Sequence, residues 1–293
     1  MTRIKANLAL LLITICWGVA FPLTQMLIRT GMSPNAIVMI KGLLFFTCCC
    51  IFYRKQIAGI KARQFAYGAL IGAFNLLGNV MQMVSMEHTT PSHSAFLTVT
   101  NVIMVPFITL LLFRERPPKK SIISVPLCVL GMAVLTGVLQ SGASSFNLGD
   151  AQALVGALGF AVMIVLLAKA DFDYKIVAFG LSTVQFAGAL LIMLVSGDMS
   201  VSSNNWAFAV PVLLYLGIVA TFVTASVQCM AQQYVSSTSA ALIMTMESVF
   251  GSVFSILMGM EALTVALFAG GALIILSVIM METNLLPVLQ EKN

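Results

Sequence analysis

The sequence predicts an all-α membrane protein of ten transmembrane helices, arranged as two inverted five-helix repeats around a central cavity. Three observations predict it: a depleted charge content, a regular series of apolar runs, and basic residues confined to every second connection. Of 293 residues, 60% are hydrophobic and only 9% charged, whereas a soluble domain carries about 25% charged residues. Water is therefore not the main solvent of this chain.

A hydrocarbon core of about 30 Å needs roughly 20 apolar residues per helix. Runs of that length lie at about 7–28, 35–53, 65–85, 92–113, 121–139, 150–168, 175–196, 206–229, 237–259 and 263–281. The first run follows Arg3 and Lys5 and imitates a signal peptide. No small-residue cleavage site follows it, and Trp17-Gly18 leads into more apolar sequence, so it is expected to stay attached as the first span. Breakers such as Gly31-Met32-Ser33-Pro34, Arg116-Pro117-Pro118 and Ser141-Gly142 mark short connections that leave no room for a soluble domain. Function is therefore expected inside the membrane.

The net charge of +5 arises from small basic clusters between apolar runs, which excludes a nucleic-acid surface and points to topology signals. With both termini cytoplasmic, Arg3, Lys5, Arg54, Lys55, Lys61, Arg63, Arg114, Arg116, Lys119, Lys120, Lys169, Lys175 and Lys292 fall inside. Only Arg29 falls outside, and Lys41 lies within a span. That bias is steep enough that one span more or fewer would scramble it. A multi-pass protein of the inner (plasma) membrane follows, with the lipid bilayer as its partner. The six cysteines all sit in apolar stretches without CxxC pairs, so they are read as free, buried thiols. No cofactor or metal is expected.

The chain also resembles itself at an offset of 146 residues. When 82–115 is set over 228–261, Gln82 meets Gln228, Ala95 meets Ala241, Leu111 meets Leu257 and Glu115 meets Glu261, with Ser94 on Ala240. Five helices separate the copies, so they enter the membrane from opposite sides. The expected units are residues 1–145 and 146–293.

Polar side chains in hydrocarbon are costly and usually face a partner or a water-filled cavity. In the third span Gly68, Gly72, Asn75, Asn79 and Gln82 recur at helical spacing along one face. In the eighth, Gly217, Thr221, Thr224 and Gln228 do the same. Each stripe suits a shared cavity; each also suits close helix packing, with amides and hydroxyls satisfied locally. Trp17, Phe21, Thr24 and Gln25 share a face of the first span, and His93, Leu97 and Asn101 share one of the fourth. Aromatic and polar groups together suit a metabolite pocket, although aromatic stripes also pack.

Glu247 sits about ten residues into the ninth span, near the midplane. It is the candidate for proton coupling, the alternative being a permanently paired structural acid. Lys41 lies about 9 Å from the outer end of the second span at 1.5 Å per residue, where it either reaches Glu247 or a ligand, or snorkels to the interface. Glu115 and Glu261, at helix ends, are expected to pair with loop cations or cap the next helix.

Several pieces of sequence, in this order and spacing, resemble the drug/metabolite transporter superfamily, in particular its ten-helix EamA-type members. They are Trp17-Gly18 with Phe21, Ser94-Ala95-Phe96-Leu97-Thr98 leading to Pro106 and Glu115, Gly149-Asp150, and Ser239-Ala240-Ala241 leading through Glu247 to Glu261. Two departures stand out: Lys41 where such proteins commonly have arginine, and Ser248 where a proline often follows the glutamate. The resemblance implies secondary active carriage of amino acids, related metabolites or drugs by alternating access, commonly as export. A multidrug efflux carrier is the nearest alternative. An intramembrane enzyme is the rival from another class, but no HExxH, paired-carboxylate or Ser-His-Asp motif is present. A channel would require filter-like loops or charge rings, which the sequence lacks.

Overall fold

The computed structural model describes residues 1–85, 88, 91–138, 146–197, 201–260 and 262–283, apart from the side chains of Met83, Pro91, Ser92 and His93. Glu261, the expected loop acid, and Lys292 lie outside the described residues, as does the His93 side chain. Every regular element among the described residues is helical. The main helices are α1 (Arg3–Arg29), α2 (Pro34–Phe52), α3 (Ala62–Ser85), α4 (Ser94–Phe113), α5 (Ser121–Leu135), α6 (Leu148–Ala168), α7 (Tyr174–Ser196), α8 (Trp206–Tyr234), α9 (Ser237–Leu257) and α10 (Val265–Glu282). All but α3 and α5 are both long enough and apolar enough to cross a membrane. α3 has the length with a more polar face, and α5 is 15 residues long, ending at Leu135 rather than near 139.

Local sequence starts and stops these helices. Ser33 caps α2 by accepting from the Ala36 amide at 3.1 Å, and Pro34 follows at the first helical position, where a missing N–H costs nothing. α6 opens on a capping box: the Asn147 side chain accepts from the Asp150 amide at 3.1 Å, and the Asp150 carboxylate accepts from the Asn147 amide at 3.0 Å. Asn205, Ser236 and Thr264 cap α8, α9 and α10 in the same way. Gly197, at φ 69°, ends α7 in the left-handed conformation that a residue without Cβ adopts freely.

Two helices are interrupted. α4 breaks at Thr100, between 94–99 and Asn101–Phe113, and α9 breaks at Thr245, between Ser237–Met244 and Met246–Leu257. At both breaks the threonine hydroxyl donates to the carbonyl three residues earlier, Leu97 and Leu242 respectively. α8 is irregular in another way: Tyr215–Val223 forms a π-helix, with α-helix on either side.

The principal packing partners are α3 with α6 and α7, α1 with α8 and α9, α2 with α7 and α8, α4 with α6 and α9, and α5 with α10. Small residues set the closest approaches. A Cβ on Gly68 of α3 would stand 2.7 Å from the Val177 carbonyl oxygen, and one on Gly180 of α7 would stand 2.7 Å from the Ala69 nitrogen, so the two backbones touch. Gly131 on α5 meets the Gly270 carbonyl of α10 in the same manner. The first turn of α1 meets the last turn of α10: the Arg3 guanidinium lies 3.2 Å from the Glu282 carboxylate, which also accepts from Asn7. Lys120, before α5, donates to the Thr283 carbonyl at 2.7 Å. The first and last helices of the bundle thus end side by side.

Candidate functional site

α2 and α9 bring Lys41 and Glu247 into the interior of the bundle, each within electrostatic reach of the other. Both residues are half-buried. No ion pair within 4.0 Å joins them, and no hydrogen bond involves either among the described residues. An opposite pair inside a bundle usually closes, because the isolated charges carry a desolvation cost. Here the two groups influence each other without contact.

The break in α9 explains the position of Glu247. It lies in the first turn of the half-helix Met246–Leu257, just beyond Thr245. At the offset of 146 residues Asn101 falls on Glu247, and Asn101 likewise opens the half-helix Asn101–Phe113 beyond Thr100. Asn101 is half-buried. The two interrupted helices therefore each carry a polar side chain, Asn101 and Glu247, in the first turn after the interruption.

The stripe on α3 divides. Its glycine end packs: Gly68 and Gly72 contact the α7 backbone at Val177, Gly180 and Leu181. Its amide end is more open, with Asn75 and Gln82 half-buried and Asn79 exposed; the Asn79 amide donates to the Asn75 carbonyl oxygen at 2.8 Å. The stripe on α8 lies in the packed interior. Thr221, Thr224 and Gln228 are all buried. Thr221 donates to the Leu216 carbonyl at 2.7 Å, Thr224 to the Ala220 carbonyl at 2.9 Å, and the Gln228 amide points to the Met244 sulfur at 3.6 Å. The extra residue of the π-turn changes which side of α8 these groups face.

Trp17 is half-buried, and its indole N–H is engaged by α8, 3.0 Å from both the Ala220 carbonyl oxygen and the Thr224 hydroxyl. Phe21, one turn further along α1, is exposed, with its ring beside Gly251 of α9. Glu115 pairs with Lys169, in keeping with its place at a helix end. All six cysteines are free, four of them buried and Cys16 and Cys50 partly so.

A groove of about 220 Å³ lies elsewhere, between the ends of α2 and α7 and the second half of α8. It is lined by Tyr53, Tyr174, Phe222 and Ser226 among others, and the Tyr53 hydroxyl donates to Ser226 at 2.8 Å. None of the polar residues singled out from the sequence lines it. Sequence reasoning also missed the interruptions at Thr100 and Thr245 and the π-turn.

A model of the EamA-like transporter family matches the chain twice, over residues 4–137 and 147–283. The chain belongs to the EamA-like transporter family. Such a member of the drug/metabolite transporter superfamily is a multi-pass membrane transporter with a small-molecule substrate, and its site is to be sought within the bundle. A protein of Archaeoglobus fulgidus described as an uncharacterized transporter is 30% identical over 284 residues, covering 96% of this chain and 86% of its own. A solved crystal structure matches with a TM-score of 0.74 at 17% identity, covering 96% of this chain and 98% of that one. At that identity the match speaks for the fold.

Proposed function

We propose that this EamA-like transporter is a secondary active carrier, exporting small polar or amphipathic metabolites such as amino acids by alternating access. Its ten helices all span the bilayer, in two oppositely inserted units, residues 1–145 and 146–293, with both termini cytoplasmic in the inner membrane. The packing supports two related units. Exchanging each helix with the one five places along turns α3–α6 into α1–α8, α4–α6 into α1–α9 and α3–α7 into α2–α8. The same exchange returns α2–α7, α4–α9 and α5–α10 to themselves.

The observation that carries the substrate reading is the open pair of Lys41 and Glu247. Both are held inside the bundle, partly accessible and unjoined. A ligand with an anionic and a cationic group completes both charges at once, and the half-helix N-terminus behind Glu247 and the amides of Asn75, Gln82 and Asn101 offer neutral hydrogen bonds. Lysine at position 41 acts as a point charge on the anionic end rather than as a bidentate fork. When the ligand leaves, Glu247 takes up a proton in its place, which couples transport to the proton gradient.

A thermal-shift panel of amino acids, nucleosides, vitamins and cationic drugs identifies the ligand class, since a substrate stabilises the state it binds. Counterflow of the strongest hit in proteoliposomes then tests carriage. Glu247→Gln, which keeps the shape and removes the ionisable group, is expected to weaken binding at least about tenfold and to flatten the pH profile. Unchanged counterflow and pH profile in Glu247→Gln would remove the proposed site.

A further inference from the structure

α1 grips the π-turn of α8 at both of its ends. At the start, the Tyr215 hydroxyl donates to the Cys16 carbonyl at 3.0 Å. Towards the other end, the next residue of α1, Trp17, donates through its indole N–H to the Ala220 carbonyl and the Thr224 hydroxyl, both at 3.0 Å. Within the turn, the Thr224 amide bonds to the Val219 carbonyl five residues back, and the Thr221 hydroxyl donates to Leu216, also five back. These side-chain bonds satisfy carbonyls that the wider i→i+5 ladder holds less well than an α-helix would.

The spacing of small and polar residues also differs between α3 and α8. Gly72 of α3 precedes Gly217 of α8 by 145 positions, whereas Gln82 precedes Gln228 by 146. The π-turn Tyr215–Val223 lies largely within this longer stretch of α8. α3 is continuous α-helix over Ala62–Ser85.

Beyond the turn, the far half of α8 is closed by weakly satisfied polar groups. Gln228 and Gln232 direct their amides at the Met244 sulfur, at 3.6 and 3.9 Å. Gln232, Ser237 and Ser239 are buried, and each has a side-chain oxygen without a hydrogen-bond partner. Such groups regain bonds when water enters.

Resting on the alternating-access reading above, we infer that Trp17 and Tyr215 are positioning residues. They clamp the π-turn onto α1 near both of its ends and so restrain it as the hinge on which the second half of α8 swings. That swing parts Gln228 and Gln232 from Met244 of α9 and opens the bundle at the end where α8 meets α9.

Hydrogen–deuterium exchange of the full chain in lipid nanodiscs, read without added substrate, tests this. Trp17→Phe keeps the ring and removes the donor, and Tyr215→Phe removes the second grip independently. Each variant is expected to speed exchange roughly fivefold over residues 219–234, while 206–214 and α9 beyond Thr245 keep their rates. Unchanged exchange in both variants overturns the inference. So does a uniform increase along α1, α8 and α9, which would mark general loosening. Absence of counterflow in the unaltered protein would instead defeat the carrier reading and leave the exchange result standing.

Discussion

At the scale of single residues, the feature on which the proposed site rests is a separation. Lys41 and Glu247 influence each other electrostatically yet are not in contact, so each charge is available to a third party. Their coupling is measurable without knowing the ligand. Charge reversal at one position, Lys41→Glu or Glu247→Lys, places two like charges in the interior. The double variant restores opposite charges and is expected to regain about 1 kcal/mol of the loss, read as a melting temperature in detergent above that of the worse single variant. A double variant that melts with the worse single would show that the two charges do not sense one another.

At the scale of helices, packing depends on backbone contact at glycine. Gly68→Ala drives a Cβ to 2.7 Å from the Val177 carbonyl oxygen, and is expected to cost about 1–3 kcal/mol by overpacking. Gly59→Ala, where nothing lies within 4 Å, serves as the control and should leave the melting temperature unchanged. Helix existence was legible in the apolar runs, because hydrocarbon thickness imposes a length that sequence must meet. The glycine half of the α3 stripe was legible too, as one of two open readings. The irregularities were not. The residues of Tyr215–Val223, YLGIVATFV, have the composition of any buried helix, and neither Thr100 nor Thr245 carries a helix-breaking signature, since each simply turns its hydroxyl onto its own chain. A π-turn also rotates the residues that follow it relative to a continuous α-helix, so the similar stripes of α3 and α8 have different surroundings: Asn79 is exposed and Thr224 buried.

At the scale of the whole molecule, the basic residues and the meeting of α1 with α10 are independent observations about topology. The first is a statistic of sequence, the second a contact between Arg3 and Glu282. Together they predict sided labelling. A thiol introduced by Lys5→Cys should react with an impermeant maleimide from the cytoplasmic side only. One introduced by Asn204→Cys, in the exposed loop before α8 whose amide bonds to Thr30 at 2.8 Å, should react from the opposite side only. Labelling of both from one side would rule out an odd number of crossings between the two positions.

The junction of Arg3, Asn7 and Glu282 has a consequence for engineering as well. Where first and last helices already stand together, a short polar bridge can splice them covalently, and new chain ends can be cut in the connection between α5 and α6. The rearranged polypeptide would be synthesised second unit first, with every contact of the original still attainable. Its accumulation in membranes at wild-type yield would mean that insertion follows local signals in each unit rather than the order in which the ribosome delivers them.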